Sequence, residues 1–409
     1  MSISFIHSAD LHLGRGFAGL RELPENIYKR VVESADRSLE RLVSIAIEQD
    51  VDFVLFVGDV FDSNDVSLRT HYRFRKQMER LKRHCIHVFL CYGNHDPIAG
   101  KNHFFQWPDN VTVFNNETVS VEAYTTKKGH VVNIYGFSYA KKAIEMDKSE
   151  EFIKTGSGDF HIAMLHGHAD GQTGHDPYAP FSVRKLKEKG FDYWALGHIH
   201  KRQTLADEPP IVYPGNIQGM HRKELGEKGC VLATLSKVDP PSITFVPTAD
   251  IVWREEQIDI TGVQTFDDLL ENIKQRKERH RKKNTFVHVR FVGSGVLNER
   301  LQSFEERDDL LWAANDEEDA RDPFVWIVGM SVHTTGGWNR EALRNRSDIV
   351  GELIQAIDRY DDFDEAFEPL FKNRHARSFV QAFSEKEKQA LLENAERLLL
   401  TQIMKEYEK

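Results

Sequence analysis

Asp52-Phe53-Val54-Leu55-Phe56-Val57-Gly58-Asp59-Val60-Phe61-Asp62 is the stretch on which the fold turns. Phe53 to Val57 is continuously apolar and rich in branched and aromatic residues, as a strand buried on both faces would be. It stops at Gly58, where a backbone can pass close to a neighbour, and a carboxylate follows at once. Two further runs share this design. Residues 3–7 lead to Asp10, and residues 87–92 lead to Gly93-Asn94. Between the three runs lie segments with helical spacing. Residues 27–47 carry Val31, Ala35, Leu39, Leu42, Ile45 and Ala46, and residues 68–83 are amphipathic and strongly basic. A β-α-β-α-β order predicts a parallel sheet with helices on both faces. Ligands of such sheets sit at the carboxyl ends of the strands, where Asp10, Asp59 and Asn94 fall. More strands are expected at 131–136, 162–165, 193–196 and 211–213.

Five polar clusters close these runs: Asp10-Leu11-His12, Gly58-Asp59-Val60-Phe61-Asp62, Gly93-Asn94-His95-Asp96, His166-Gly167-His168 and Gly197-His198-Ile199-His200. Carboxylates, imidazoles and one carboxamide form the ligand set of a two-metal hydrolytic centre, in which water attacks a phosphorus ester. Asp10 and His12 are two apart, so an extended chain points both to one side. His198 and His200 repeat that spacing. Asp59 can bridge two cations, and Asn94 offers a neutral oxygen. His95 is the candidate for contact with substrate, stabilising developing charge or protonating the leaving oxygen. Asp96 can hold the His95 tautomer, and Asp62 can orient the site from behind its ligands. His166 stands directly at a strand end, which favours it over His168; His161 reads as a structural strand-start residue. Taken singly, each cluster is also an ordinary solvated strand end or turn. The donors are oxygen and imidazole only, so Mn²⁺ fits first, with Fe²⁺ or Mg²⁺ next, rather than a thiolate zinc site. There is no GxSxG elbow for a serine nucleophile and no GxxxxGK[ST] loop for ATP.

The 409 residues, 40% hydrophobic and 11% aromatic, suffice for two or three globular domains. A net charge of −10 argues against a surface coated for nonspecific DNA binding, although a local basic patch can coexist with an acidic total. No apolar run approaches the roughly 20 residues of a membrane span. The start, Met1-Ser2-Ile3-Ser4-Phe5, has no basic region and reads as a first strand rather than a signal peptide. Cys85, Cys91 and Cys230 form no CxxC pair, which points to a reducing, cytoplasmic setting.

The pattern changes after a turn at 237–242. A strand near 257–260, a helix opened by Thr265-Phe266-Asp267-Asp268, and strands near 286–291 and 324–328 suggest a small separate α/β unit. After the linker-like Thr334-Thr335-Gly336-Gly337 the tail is helical. Ile349, Leu353 and Ile357 line one face. Ser384-Glu385-Lys386-Glu387 caps a helix carrying Leu391, Leu392, Ala395, Leu398 and Leu399. Three divisions are therefore expected, at 1–250, 251–335 and 336–409. The basic run 276–283 can track phosphates or form a solvated helix face.

The motifs DxH, GDxxD, GNHD, a lone HG and GHxH, in this order, resemble the calcineurin-like metallophosphoesterase superfamily. Within it, His7-Ser8-Ala9-Asp10-Leu11-His12-Leu13-Gly14, residues 58–62 and 92–96, the run 191–200 and Tyr213-Pro214-Gly215-Asn216 look like the SbcD-type DNA repair exonucleases. The resemblance covers about residues 1–250; beyond that it rests on domain order. It implies a layered α/β core of β-sheets flanked by helices, a small α/β capping domain that helps shape a DNA site, and a helical tail. It implies Asp10, His12, Asp59 and His200 as ligands of one metal, Asp59, Asn94, His166 and His198 as ligands of the other, and His95 as the catalytic histidine. His-Gly-His at 166–168 departs from the pattern and leaves that ligand open. The implied activity is a manganese-dependent DNA exonuclease that also cuts single strands internally. Its tail would dock on an SbcC-like coiled-coil ABC ATPase, and the family adds a homodimer. A phosphatase or small-nucleotide phosphodiesterase on the same metal core is the competing reading, but some 150 residues beyond the core favour the nuclease. A scaffold with a dead site would lack a ligand, and none is missing.

Overall fold

A computed structural model describes residues 1–407 except 18–19, 21–22, 64–65, 100–104, 171–177, 336–339, 361 and 373–382. The Gly336-Gly337 part of the expected linker lies outside the described residues. The first sheet holds β1 (Ser2–Ser8), β2 (Phe53–Val57), β3 (His87–Cys91), β4 (Val111–Val113), β11 (Gly229–Ser236) and β12 (Ser242–Pro247), in the order β12-β11-β1-β2-β3-β4. The second holds β5 (Ser120–Thr125), β6 (Val131–Gly136), β7 (Phe160–His166), β8 (Tyr193–Gly197), β9 (Gln203–Asp207) and β10 (Pro210–Tyr213), in the order β5-β6-β7-β8-β10-β9. Each sheet has a parallel centre and antiparallel company. Phe5 of β1 lies opposite Phe53 of parallel β2 and Ala233 of antiparallel β11.

The expectation of helices on both faces of one parallel sheet needs correction. One face of the first sheet buries Ile6, Val54, Phe56 and Leu90 against α1 (Glu25–Glu48) and α2 (Leu68–Arg83), through Leu39, Leu42, Phe74 and Met78. Its other face packs on the second sheet. Phe5, Phe53, Leu55 and Phe89 share one core with Ile134, Ile162, Met164 and Tyr193. An apolar strand records that both its faces are buried, not what buries them. The outer face of the second sheet, with Leu165, Trp194, Leu196 and Tyr213, is covered by Phe152, Phe181 and Phe191, and by Leu186 of α3 (Val183–Glu188).

Contacts divide the chain into two compact units: Met1–Arg254 with Arg279–Val287 and Glu317–Val328, and Glu255–Glu278 with His288–Asp316 and Gly329–Lys409. A third sheet runs β13 (Ile251–Asp259), β14 (Asn284–Ser294) and β15 (Val325–Thr335). The helices along this half are α4 (Phe266–His280), α5 (Asn298–Gln302), α6 (Phe304–Asn315), α7 (Arg340–Arg344), α8 (Ile349–Asp358), α9 (Phe363–Lys372) and α10 (Glu385–Tyr407).

In the tail, part of the expected face is buried and part is exposed, with Leu353 packed against the cluster that joins α8 and α10. Val350 and Ile354 of α8 pack with Leu343 and with Leu400 of α10, whereas Ile349 is 63% exposed. Leu398 and Leu399 are also exposed. The α10 cap does form: Ser384 Oγ accepts from the Glu387 N–H, and Glu387 Oε2 accepts from the Ser384 N–H at 2.8 Å. Four cations of the basic run have partners, while Arg279 and Lys282 are exposed. Arg276 pairs with Glu256, buried Lys277 donates to the Ala314 carbonyl, Arg281 pairs with Glu318, and Lys283 with Glu227. No helix among the described residues is long and apolar enough to cross a membrane.

Candidate metal centre

The loops after β1 and β2 lie side by side. The Asp10 N–H donates to the Gly58 carbonyl, the His12 N–H to that of Asp59, and the Leu13 N–H to that of Val60. Eight non-glycine residues among those described have positive φ, and four of them are Asp10 (52°), His12 (44°), Asp59 (50°) and His198 (99°). Left-handed backbone costs an L-residue about 1–2 kcal/mol, and such strain collects at functional sites. Asp10 and His12 thus converge through two left-handed residues beyond the end of β1, not through strand alternation.

Three groups of donors form, each with its ligand atoms within 4.8 Å: Asp10, His12 and His200; Asp10, Asp59 and His166; His12, Asp62 and His95. His12 Nε2 and His200 Nε2 face each other at 2.9 Å. His166 Nδ1 donates to the Val57 carbonyl, which turns its Nε2 toward Asn94 Oδ1 at 3.0 Å and Asp59 Oδ2 at 3.4 Å. Imidazole nitrogens and carboxylate and amide oxygens that point at a common space can hold a cation, and all of these donors suit Mn²⁺, Fe²⁺ or Mg²⁺. Two glycines make the approach feasible. A Cβ on Gly58 would stand 2.1 Å from His166 Nδ1, and one on Gly197 would stand 2.0 Å from the Val57 carbonyl oxygen.

The electrostatics fit the same need. Burial raises the Asp10 carboxyl above its usual range against the pull of His166 and His200. Burial would also raise Asp59, but the His166 imidazole and its hydrogen bond override it, and the carboxyl is held far below normal. Burial alone would lower His166, yet Asp59 and Asp10 lift it to about 9. Two buried carboxylates thus favour positive charge beside them, which a divalent cation would supply.

The remaining predicted residues divide. His95 is 41% exposed at its side chain. Its backbone N–H donates to Asp59 Oδ1 and its Nδ1 to the Asp62 carbonyl at 2.9 Å. Asp96 does not hold His95, contrary to expectation. Its oxygens accept the backbone N–H groups of Gly93, Val60 and Phe61, so those buried donors are satisfied. Burial and the Asp59 charge raise Asp96 to about 7. Asp62 Oδ1 lies 3.2 Å from His12 Nδ1. His198 enters none of the three groups. Its N–H donates to both Asp10 oxygens, and its ring centre is 5.4 Å from that of His166. His168 is buried, stays outside the groups, and has its ring 6.1 Å from that of His198.

Two positions escape sequence reasoning. His7, buried between the sheets, takes the Tyr193 hydroxyl on Nδ1 and donates from Nε2 to the Leu196 carbonyl. Glu224 stands against His200. Glu224 ends no apolar run, and His7 lies within the run 3–7 as a strand residue, so periodicity marks neither as a hydrogen-bonding partner.

A family model described as calcineurin-like phosphoesterase matches residues 3–202, and one described as the middle domain of metallophosphoesterase YhaO matches residues 253–335. The chain is 35% identical over 404 residues to the uncharacterized metallophosphoesterase YhaO of Bacillus subtilis, with 98% of each chain covered. It is 25% identical over 325 residues to the DNA double-strand break repair protein Mre11 of Sulfolobus acidocaldarius, covering 74% of this chain and 80% of that one. A solved dimetal phosphatase from Danio rerio matches with a TM-score of 0.37 at 11% identity, over 60% of this chain and 96% of that one.

Proposed function

The chain belongs to the calcineurin-like metallophosphoesterase family, and from that premise we propose that it is a manganese-dependent DNA exonuclease of the SbcD type that also cuts single strands. The observation that carries the phosphoester chemistry is the convergence of Asp10, His12, Asp59, His166 and His200 on one buried space. Support for DNA as substrate is the Mre11 likeness, which extends over 325 residues and so beyond the 200-residue core.

Asp10, His12, Asp59 and His200 would hold one ion; Asp59, Asn94, His166 and His198 would hold the other. Such ions supply Lewis acidity and a water made acidic enough to attack at neutral pH. Asp59 would serve both, a reading supported by the His12 and His166 nitrogens 3.8 and 3.4 Å from its Oδ2. His95, with Nδ1–H tied to the Asp62 carbonyl, would direct Nε2 at the phosphoryl oxygens and deliver a proton to the departing 3′ or 5′ oxygen. Asp62 and Asp96 hold the loops that present these groups.

We assign 1–250 to the nuclease domain, 251–335 to a cap that helps bind DNA, and 336–409 to a segment that docks on an SbcC-like coiled-coil ATPase in the cytoplasm, with a homodimer as the working assembly. Exposed Leu398, Leu399 and Ile349 support a docking role for the tail. The test offers the purified protein duplex DNA, single-stranded DNA and p-nitrophenyl phosphate in parallel with Mn²⁺. Shortening of duplex from its ends is expected. Turnover of p-nitrophenyl phosphate alone would replace the nuclease with a phosphatase.

A further inference from the structure

Glu224 belongs to none of the five clusters, yet it is only 7% exposed and stands directly behind His200. Its Oε1 accepts from His200 Nδ1 at 2.6 Å. Its Oε2 accepts from Asn216 Nδ2 at 3.1 Å and from the Met220 N–H at 2.6 Å. The His200 carbonyl is held in turn by Lys228 Nζ at 3.0 Å and by the Asn216 N–H at 3.3 Å. Ring and backbone of one histidine are therefore both clamped by the segment 216–228.

We propose that Glu224 is a positioning residue of the metal centre, fixing His200 with its proton on Nδ1 so that the Nε2 lone pair faces His12 and Asp10. The proposal rests on reading that centre as a divalent-metal site. The physical argument is one of donor and acceptor count. A histidine ligates through an unprotonated nitrogen, and the partner of the other nitrogen decides which one that is. A carboxylate accepts on both oxygens and suits three donors at once. In Glu224→Gln one acceptor becomes an NH₂ donor. The amide oxygen is best kept where two donors, Asn216 and Met220, converge. The NH₂ then meets His200 Nδ1, which can accept it only by moving its own proton to Nε2. That tautomer cannot bind a metal through Nε2. The substitution is nearly isosteric, so its effect falls on the ring and not on the packing.

The experiment titrates Mn²⁺ into the full-length wild type, Glu224→Gln, Glu224→Asp, His200→Ala and the His200→Ala/Glu224→Gln double variant, with thermal melts of the metal-free proteins alongside. ¹⁵N shifts of the imidazole nitrogens, read on the Mg²⁺-loaded protein, give the tautomer. The expected result is a metal affinity weakened about 10–100-fold in Glu224→Gln, smaller losses in Glu224→Asp, and no further loss when Glu224→Gln is added to His200→Ala. Wild-type His200 should carry its proton on Nδ1. Wild-type affinity in Glu224→Gln, or an equal extra loss in the His200→Ala background, overturns the proposal. If Glu224→Gln does not fold, the wild-type tautomer decides: a proton on Nε2 overturns the proposal, and one on Nδ1 with weakened Glu224→Asp supports it. Wild type that takes up no Mn²⁺ overturns the metal-centre reading itself.

Discussion

Gly58→Ala should empty the centre without removing any ligand. Gly58 has φ of +77°, and a Cβ there would meet His166 Nδ1 at 2.1 Å, Cγ at 2.5 Å and Cβ at 2.9 Å. Ordinary contact begins near 3.4 Å, so the imidazole must retreat by about 1.3 Å. Retreat breaks the 3.0 Å bond from Nδ1 to the Val57 carbonyl and draws Nε2 away from Asn94 and Asp59. The left-handed backbone adds about 1–2 kcal/mol of strain for a residue with a Cβ. In a domain of this size that lowers the melting temperature by a few degrees, a small loss beside the functional one. Misplacement of a reacting group by about 1 Å costs roughly 100-fold in rate. We expect a folded protein with reduced bound manganese and at least that loss in turnover. Elemental analysis after dialysis, a thermal melt and a Mn²⁺-dependent cleavage assay measure the three quantities. A Gly58→Ala protein with wild-type metal content and turnover within threefold of wild type would refute the reasoning, because the site would then tolerate a filled cradle.

Asp59→Ala should lose both metal and activity, whereas His95→Ala should keep its metal and lose about 100- to 10,000-fold in turnover; metal lost along with activity in His95→Ala would make His95 a ligand. His166→Ala should raise the Mn²⁺ concentration needed for activity and His168→Ala should not, since His166 reaches Asp59 and Asn94; a Mn²⁺ titration of both variants decides it, and the reverse order moves the ligand by two positions. Burial pushes His7 down to about 3, against the bond to Leu196, so the folded state holds it neutral. Its contribution is intact above about pH 6.5, where the unfolded histidine is also neutral, and is lost as the pH falls from 6.5 toward 3. Between pH 7 and 5.5 the wild type should therefore lose about 1 kcal/mol more than His7→Gln in urea unfolding; equal losses would remove His7 from the acid sensitivity.

Much of this molecule is written in local sequence, because strands, caps and site loops are local objects. Phe53 to Val57 followed by Gly58-Asp59 announces a buried strand and its ligand loop, and residues 131–136 appear as the strand Val131–Gly136. Ser384 and Glu387 form the capping pair that their spacing predicts. What covers a strand is not local. Phe5, Phe53 and Leu55 are as apolar as residues facing a helix, and only the fold sets them against Ile134 and Ile162 of a second sheet. Gly229–Ser236 lies beside β1 although more than 220 residues separate them, and nothing within either segment encodes that pairing. Asp10, His12, Asp59, Asn94, His166 and His200 were legible as candidates because each follows an apolar run. Which atoms meet was decided in three dimensions, by left-handed turns at Asp10, His12 and Asp59 that no alternation rule describes. His7 and Glu224 lie furthest from the reach of sequence. Each is an ordinary polar residue until the chain closes around it, and its meaning is the hydrogen bond that closure imposes.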